Sequence, residues 1–327
     1  MIESALSSEL CNATSFPKLT LTASISYATD MSSPNCMELI RGSRKVITGN
    51  ARGSLTIVDL DASGSSEADM PAYSHIKIHD QHITCMKMLR RGSYLISGDR
   101  LGCFKACSLG LNNEIKEQAS IVPSSAAARG LALSPGETKL VTAHDDKLLI
   151  MTDLGRGTPE RSIEAHGSEV LTVDWSPSKS LIVSGGKDRI LKLFDPRGGR
   201  LLHSLIYHRN SINVAKFHPR LEHLFVSSGK DQAIKIFDLR MLRELATLRG
   251  HNAEVLDVSW HPHVDTILSS CDAQGRVFLW KSPSEAPCDF GLTKDDSPIL
   301  KTVFLADGAS LASVSNDRII RLWNIDW

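Results

Sequence analysis

Short stretches in which apolar and polar residues alternate recur along most of the chain. VLTVDW (170–175) and INVAKF (212–217) are two of them, and both read as strands with one buried face. Each is followed by an apolar run, a polar turn that contains Asp, and a strand that ends in an aromatic residue. This order predicts an all-β fold built from short antiparallel strands.

One spacing governs these stretches. The strand-end aromatic residues lie 43 residues apart, at Phe194, Phe237, Trp280 and Trp323. Prolines that precede the apolar runs recur every 42 or 43 residues, at Pro135, Pro177, Pro219 and Pro262. Two independent markers with one period indicate an internal repeat. Four short strands in roughly 40–45 residues are typical of one blade of a β-propeller.

These repeats resemble the WD-repeat family, in which a His, a Ser or Thr, a turn Asp and a strand-end Trp form a buried hydrogen-bonded set in each blade. The resemblance implies such a structural set at His166, Ser184, Asp188, His208, Ser227, Asp231, His251, Trp280, Ser313, Asp317 and Trp323. Phe194 and Phe237 take the Trp place in blades four and five, and Phe cannot donate a hydrogen bond. In blade six Gln274 stands where Asp is expected.

The first three repeats fit the pattern less closely. Their matching residues are Thr48 in blade one, His79 and Ser97 in blade two, and Thr142 and Asp146 in blade three. The count therefore predicts a single seven-bladed propeller over 18–327, with 1–17 as a flexible N-terminal tail. The chain ends before a fourth strand of blade seven, and LTLTASIS (19–26) is placed to supply that strand and close the ring.

Hydropathy argues against an integral membrane protein, because no apolar run approaches the roughly 18 residues of a membrane helix. The 37 Lys and Arg balance the 37 Asp and Glu, so the charge of the whole molecule argues neither for nor against nucleic acid. The first residues lack the apolar stretch of a secretory signal. The seven cysteines show no paired spacing, which favours free thiols in a reducing compartment over disulfides or a zinc site.

No group of residues indicates an enzyme. Ser, His and Asp recur in blade after blade as a structural set, whereas a catalytic triad occurs once. His261 and His263 in WHPHVD resemble a metal-binding pair, but WHP is the ordinary turn entry in this repeat family. We therefore expect a binding scaffold without a cofactor, a metal ion, a small-molecule substrate or a membrane contact.

Basic residues are concentrated in blades four and five. From 187 to 249 there are 13 Lys and Arg against 6 Asp and Glu. Blade geometry predicts one group on the top face, where it either holds RNA phosphates or only solvates the blade edges: Lys187, Arg189, Arg209 and Lys230. A second group is expected on the bottom face, where a protein partner is favoured: Arg197, Arg200, Arg240 and Arg243.

The middle of the chain, roughly 128–282, resembles a narrower family. SGGKDRILKLFDPRGGR (184–200) and KDQAIKIFDLRMLRELATLRGH (230–251) are similar to the WD-repeat subunit of the cleavage and polyadenylation specificity factor, the polyadenylation factor subunit 2 family. The resemblance implies a non-catalytic nuclear subunit of the machinery that processes pre-mRNA 3′ ends. Such a subunit docks on a large multi-propeller scaffold subunit and, beside a zinc-finger subunit, helps to hold the polyadenylation-signal RNA.

Two other functions remain open. The segments 194–197 (FDPR) and 237–240 (FDLR) fit the hydrophobic-Asp-x-Arg signature of WD-repeat substrate receptors in cullin-type ubiquitin ligases. Many propellers are generic protein-interaction scaffolds, since one fold carries many functions. The same bottom face would serve docking on the polyadenylation scaffold or on the ligase adaptor, so the signature alone does not discriminate between 3′-end processing and the ligase receptor.

Overall fold

The computed structural model describes residues 17–26, 32–61, 73–90, 93–110, 114–282, 287–292 and 297–326. In these ranges 28 strands form seven four-stranded antiparallel sheets, and there is no α-helix. The first blades comprise β2 (Pro34–Ile40), β3 (Lys45–Asn50), β4 (Ser54–Asp59) and β5 (Tyr73–Lys77); β6 (Ile83–Met88), β7 (Tyr94–Asp99), β8 (Phe104–Leu109) and β9 (Ile115–Ile121); and β10 (Ala128–Leu133), β11 (Lys139–His144), β12 (Leu148–Asp153) and β13 (Thr158–Glu164).

The remaining four blades continue the same order. They comprise β14 (Val170–Trp175), β15 (Ile182–Gly186), β16 (Leu191–Asp195) and β17 (Arg200–Leu205); β18 (Ile212–Phe217), β19 (Leu224–Gly229), β20 (Ile234–Asp238) and β21 (Arg243–Leu248); β22 (Val255–Trp260), β23 (Ile267–Asp272), β24 (Arg276–Lys281) and β25 (Pro287–Leu292); and β26 (Ile299–Phe304), β27 (Ser310–Ser315), β28 (Ile319–Asp326) and β1 (Lys18–Ser26). The predicted all-β, seven-bladed propeller is confirmed.

The seventh blade joins the two ends of the chain. β1 pairs antiparallel with β28, with Leu19 opposite Ile325 and Ile25 opposite Ile320. The predicted closing strand is thereby confirmed, one residue longer than expected at its start. The predicted tail over 1–17 falls, apart from Pro17, outside the described residues.

The core lies between the blades. Buried apolar side chains form one cluster at each junction of neighbouring blades, including the junction of blades seven and one. The first strand of each blade contacts the first strand of the next, and β26 contacts β2, so these strands form the inner wall of the ring. The sheet of each blade is therefore covered on both faces by the neighbouring blades, which explains the apolar runs in the second and third strands.

A β-bulge marks the same place in every blade. The inner strand shifts its register after its first residue, as between Val170 and Thr172 in β14 and between Val255 and Asp257 in β22. Bulges increase local twist and redirect side chains. Because the bulge recurs in all seven blades, it redirects the side chains of every inner strand in the same way along the inner wall of the ring.

The described cysteines carry free thiols. Cys36, Cys85, Cys107 and Cys271 are buried and Cys103 is partly exposed. Burial raises the pKa of Cys85 to about 12 and that of Cys107 to about 11, so both thiols stay protonated. Within the described part of the chain there is also no helix long and apolar enough to span a membrane.

Candidate interaction surfaces

Blades four and five contain a buried His with two hydrogen-bond partners. His166 Nδ1 lies 2.9 Å from Asp188 Oδ2, and its Nε2 lies 2.7 Å from Ser184 Oγ. A neutral imidazole satisfies both contacts when Nδ1–H donates to the carboxylate and Nε2 accepts from the hydroxyl. Burial lowers the pKa of His166 and so favours that neutral form. In blade five the same contacts, at 2.8 and 2.6 Å, are made by His208, Asp231 and Ser227.

Blade six forms a longer chain with an acid that the sequence analysis missed. His251 Nδ1 lies 2.8 Å from Asp272 Oδ2, and its Nε2 lies 2.7 Å from Ser270 Oγ. Trp280 Nε1–H donates to the same hydroxyl at 2.7 Å. Gln274, which occupies the expected Asp place, only donates its backbone N–H to Asp272 Oδ1. The carboxylate therefore comes from the end of β23, two residues before the turn position.

Blade two repeats this arrangement. His79 Nδ1 lies 3.0 Å from Asp99 Oδ2, and its Nε2 lies 2.8 Å from Ser97 Oγ. Asp99 was also missed, and like Asp272 it is the last residue of the second strand of its blade. In blade three that position is His144, whose Nε2 lies 2.8 Å from Thr142 Oγ1.

Blade seven replaces His with a buried guanidinium. Trp323 Nε1–H donates to Ser313 Oγ at 2.8 Å. Arg321 is only 4% exposed and lies 2.5 Å from Asp317, and it also donates to Ser315 Oγ. Asp317 thus pairs with a cation of its own blade instead of a His.

Neither the His261–His263 pair nor the group around His79 offers an open metal site. His261 Nε2 lies 2.8 Å from Gly308 O and its Nδ1 accepts the N–H of His263, whose own Nε2 lies 2.7 Å from Ala306 O. Among the described residues, His79, Asp99 and Cys103 bring ligand atoms within 4.8 Å of one another. The His–Asp half of that group recurs in blades four to six without a cysteine, so its contacts are those of the structural set.

The four predicted top-face cations lie at one end of blades four and five. We define the top face by the loops that precede the inner strands and the turns between second and third strands, which antiparallel pairing brings to the same end. Lys187 and Arg189 lie in the β15–β16 turn, Lys230 in the β19–β20 turn, and Arg209 in the loop from β17 to β18. All four side chains are exposed.

Two of these cations are paired with glutamates that precede inner strands. Lys187 Nζ lies 2.7 Å from Glu169 Oε1, and this hydrogen bond lowers the pKa of Glu169 to about 2. Lys230 Nζ lies 3.6 Å from Glu254 Oε2. The basic surplus of the top face is therefore smaller than the sequence count suggests.

The bottom face contains the other four arginines. Arg197 lies in the β16–β17 turn and Arg240 in the β20–β21 turn, while Arg200 and Arg243 begin the outer strands. The guanidinium of Arg240 donates hydrogen bonds of 2.5 and 3.0 Å to the Asp238 carboxylate. These hydrogen bonds hold the pKa of Asp238 below its usual range. In the matching FDPR segment Asp195 accepts the backbone N–H of Arg197, a contact that Asp238 also makes with Arg240.

The central channel is a cavity of about 330 Å³ lined by the inner strands. Its charges largely compensate one another. Lys216 and Lys301 lie 2.8 and 3.2 Å from Asp257, which is 1% exposed. Lys87 lies 3.4 Å from Glu38. The described lining holds four cations, Lys87, Arg129, Lys216 and Lys301, against three carboxylates, Glu38, Asp174 and Asp257, and the ion pairs named above join adjoining blades.

Comparisons with known proteins agree with this architecture. The family model described as "WD domain, G-beta repeat" matches residues 157–195, 199–238, 242–281 and 292–324. The first three matches begin at an outer strand and end with the third strand of the next blade. The same offset explains why β1 completes blade seven.

Two curated relatives are named polyadenylation factor subunit 2. The protein of Neurospora crassa is 33% identical over 174 residues, which is 53% of this chain and 25% of that protein. The protein of Gibberella zeae is also 33% identical over 174 residues, 53% of this chain and 27% of that protein. Restriction of telomere capping protein 1 of Kluyveromyces lactis is 27% identical over 152 residues, 41% and 12% of the two chains.

The match thus covers about a quarter of the length of the two polyadenylation relatives. Both resemblances that the sequence suggested, to WD repeats and to polyadenylation factor subunit 2, are confirmed at the level of sequence similarity. With seven four-stranded blades and four matched repeats, the chain is a seven-bladed β-propeller that carries WD repeats.

Proposed function

We propose that this chain is a non-catalytic scaffold subunit in nuclear pre-mRNA 3′-end cleavage and polyadenylation. The observation that supports this role is the 33% identity over 174 residues to polyadenylation factor subunit 2 of two fungi. The distinctive segment FDLRMLREL (237–245) runs from β20 into β21 and forms the bottom turn of blade five. Its partners in this proposal are a large multi-propeller scaffold subunit and a zinc-finger subunit.

The bottom face is the proposed docking site for the large scaffold subunit. Arg197, Arg200 and Arg243 are exposed, and Arg240 is held in place by Asp238. Arginine is enriched at protein interfaces because its planar group makes several directed hydrogen bonds. The four arginines together offer a fixed basic rim for carboxylates of the partner.

The top face is the proposed contact for the RNA backbone. Phosphate contacts by Lys and Arg position a nucleic acid without reading its sequence. Lys187 and Lys230 must leave Glu169 and Glu254 before they meet a phosphate, whereas Arg189 and Arg209 are exposed at the same end. The two arginines are therefore expected to contribute more to RNA affinity than the two lysines.

Affinity purification of the tagged chain from its own cells, followed by mass spectrometry, tests the role. We expect a large propeller subunit, a zinc-finger subunit, an endonuclease and a poly(A) polymerase. Recovery of a cullin and its adaptor would support the ligase-receptor alternative and contradict the proposal. Recovery of neither set would also contradict it and leave a propeller that serves another assembly.

The salt dependence of RNA binding tests the top face separately. Replacing two phosphate contacts of single-stranded RNA lowers the slope of log K against log salt by about 1.4. We expect this change in Arg189→Gln/Arg209→Gln. The matched control is Arg197→Gln/Arg243→Gln on the bottom face, which should keep the slope and weaken scaffold docking. Equal slopes in the original chain and the top-face variant would contradict RNA contact at these residues.

A further inference from the structure

The outer strand of blade four is an exposed edge with an apolar surface. β17 is the last strand of its sheet and pairs only with β16, so the backbone groups of its outer edge face solvent. Five consecutive residues from Arg200 to Ser204 are exposed. Leu201 and Leu202 are 44% and 42% exposed, and Ile206, which follows the strand, is 74% exposed.

Other outer strands carry the features that normally prevent edge pairing. Charged residues and proline protect sheet edges from unwanted partners. β9 has Lys116 and Glu117, and β13 has Pro159, Glu160 and Arg161. β17 has no charged residue or proline after Arg200.

The closing strand β1 is the nearest comparison. It likewise lacks a charge after Lys18, but its exposed positions are mainly hydroxyl residues, with Leu21 as the exposed large apolar side chain. β21 also exposes a leucine, Leu245 at 48%, but this residue directly follows the charged pair Arg243 and Glu244. Among the outer strands with described side chains, β17 therefore combines an edge without charge after its first residue with several exposed aliphatic residues.

The charge around β17 indicates what kind of strand would pair with it. From Pro196 to Leu221 the sequence contains no Asp or Glu. Arg197 and Arg200 lie at the start of the strand and Arg209 lies beyond its end, all with exposed side chains. A second copy of this chain would bring the same basic segments together, and like charges in adjacent strands are destabilising. An acidic strand would instead meet cations at both ends.

We propose that β17 binds an extended acidic segment of a partner protein, which adds a fifth strand to blade four. Main-chain hydrogen bonds to the outer edge of β17 supply affinity, as in other strand-addition complexes. Apolar side chains of the segment cover Leu201, Leu202 and Ile206, and its carboxylates meet the flanking arginines. The argument for this site rests on the edge of blade four and the charges beside it and does not require the proposed role in 3′-end processing, although Arg197, Arg200 and Arg209 also belong to the two surfaces described above.

A synthetic peptide tests the proposal with the full chain. The probe is a peptide of about ten residues in which Val and Glu alternate, compared with a Val-Lys peptide and with a Val-Glu peptide N-methylated at every second residue. Fluorescence anisotropy measures affinity, and amide hydrogen exchange locates protection. We expect binding of the unmethylated Val-Glu peptide alone, with protection in 200–206.

Two matched variants distinguish binding at this edge from nonspecific binding to exposed apolar side chains. Ile206→Glu places an acid beside β17, and we expect it to weaken binding at least about tenfold. Val122→Glu is the control, because Val122 follows β9 as Ile206 follows β17 and is 61% exposed. It should bind the peptide as the original chain does.

Several results would overturn the proposal. Absence of Val-Glu binding, equal binding of the Val-Lys or N-methylated peptide, or equal losses in both variants would each do so. Analytical ultracentrifugation of the chain alone tests whether a second copy of the chain pairs with this edge. A dimer that Ile206→Glu dissociates and Val122→Glu leaves intact would assign the edge to a second copy and reject the acidic partner.

Discussion

In blade six a chain of buried hydrogen bonds runs from Trp280 through Ser270 and His251 to Asp272. Asp272 is fully buried, and besides His251 it accepts the backbone N–H groups of Gln274 and Arg276. A buried donor that loses its acceptor retains the full cost of its lost hydration. The carboxylate therefore holds together the second strand, the turn and the preceding loop.

Replacement of this carboxylate should destabilise the propeller. We expect Asp272→Ala to lower the free energy of unfolding by about 3 kcal/mol, because three donors lose their acceptor in a buried site. Urea titration followed by tryptophan fluorescence measures the change. The control is Gln274→Ala at the exposed turn position, which should stay within about 0.5 kcal/mol of the original chain. Equal effects of the two substitutions would contradict the assignment of the acid to residue 272.

The sequence predicted the His and Ser positions of blades two, four and five, but in blade six it predicted His251 and Trp280 and missed Ser270. The acids of blades two and six were missed as well. In an antiparallel strand, residues two apart share a face, so Ser270 and Asp272 both point toward the same His. Where the last residue of the second strand is Gly, as Gly186 and Gly229 are, the acid comes from the turn. Where that residue is Asp, the turn position is Gln or Leu. Only the folded hairpin shows that a carboxylate at the end of the second strand and one in the turn both reach Nδ1 of the His.

At the scale of elements, the offset between the repeat and the blade explains the closed ring. Each of the first three matched repeats contributes an outer strand to one blade and three strands to the next. The last three strands therefore lack an outer partner until β1 pairs with β28. The repeat period predicted this gap, and the position of LTLTASIS before blade one predicted the strand that fills it.

Removal of β1 should open the ring. We expect a chain that lacks residues 1–26 to unfold at a lower temperature and to associate, because β28 then exposes an unpaired edge. Differential scanning fluorimetry and size-exclusion chromatography with light scattering measure both effects. The matched control lacks residues 1–16 and keeps β1, so it should keep the association state and the midpoint of the original chain. A chain without 1–26 that is as stable as the original and no more associated would show that closure does not depend on β1.

The charge of the top face was harder to predict from elements alone. Glu169 stands just before β14 and Glu254 just before β22, so both lie outside the 187–249 segment in which the basic surplus was counted. In the ring they adjoin Lys187 and Lys230. Lys187 meets Glu169 because the antiparallel pairing of β14 and β15 continues past Val170 and Gly186, whereas Lys230 meets Glu254 across blades five and six. A count along the sequence contains neither pairing.

At the scale of the whole molecule, the buried histidines link stability to pH. His79, His166 and His251 belong to three different blades, and burial lowers the pKa of each below its ordinary value of 6.5 despite the neighbouring carboxylate. Between that lowered pKa and 6.5 the unfolded chain binds more protons than the folded chain. Stability from these groups is therefore present above pH 6.5 and is lost as the pH falls below it.

We expect the thermal midpoint to fall steadily between pH 7 and pH 5, well above the range in which ordinary carboxylates titrate. Each His that stays neutral in the fold contributes up to about 1.4 kcal/mol of lost stability per pH unit in its window. His251→Gln should lower the midpoint at pH 7 but also flatten the decline, because one titrating group is gone. His203→Gln, at an exposed position on β17, is the control and should leave the slope unchanged. A midpoint that is flat or rises toward pH 5 would mean that the aspartates hold these imidazoles protonated in the folded propeller.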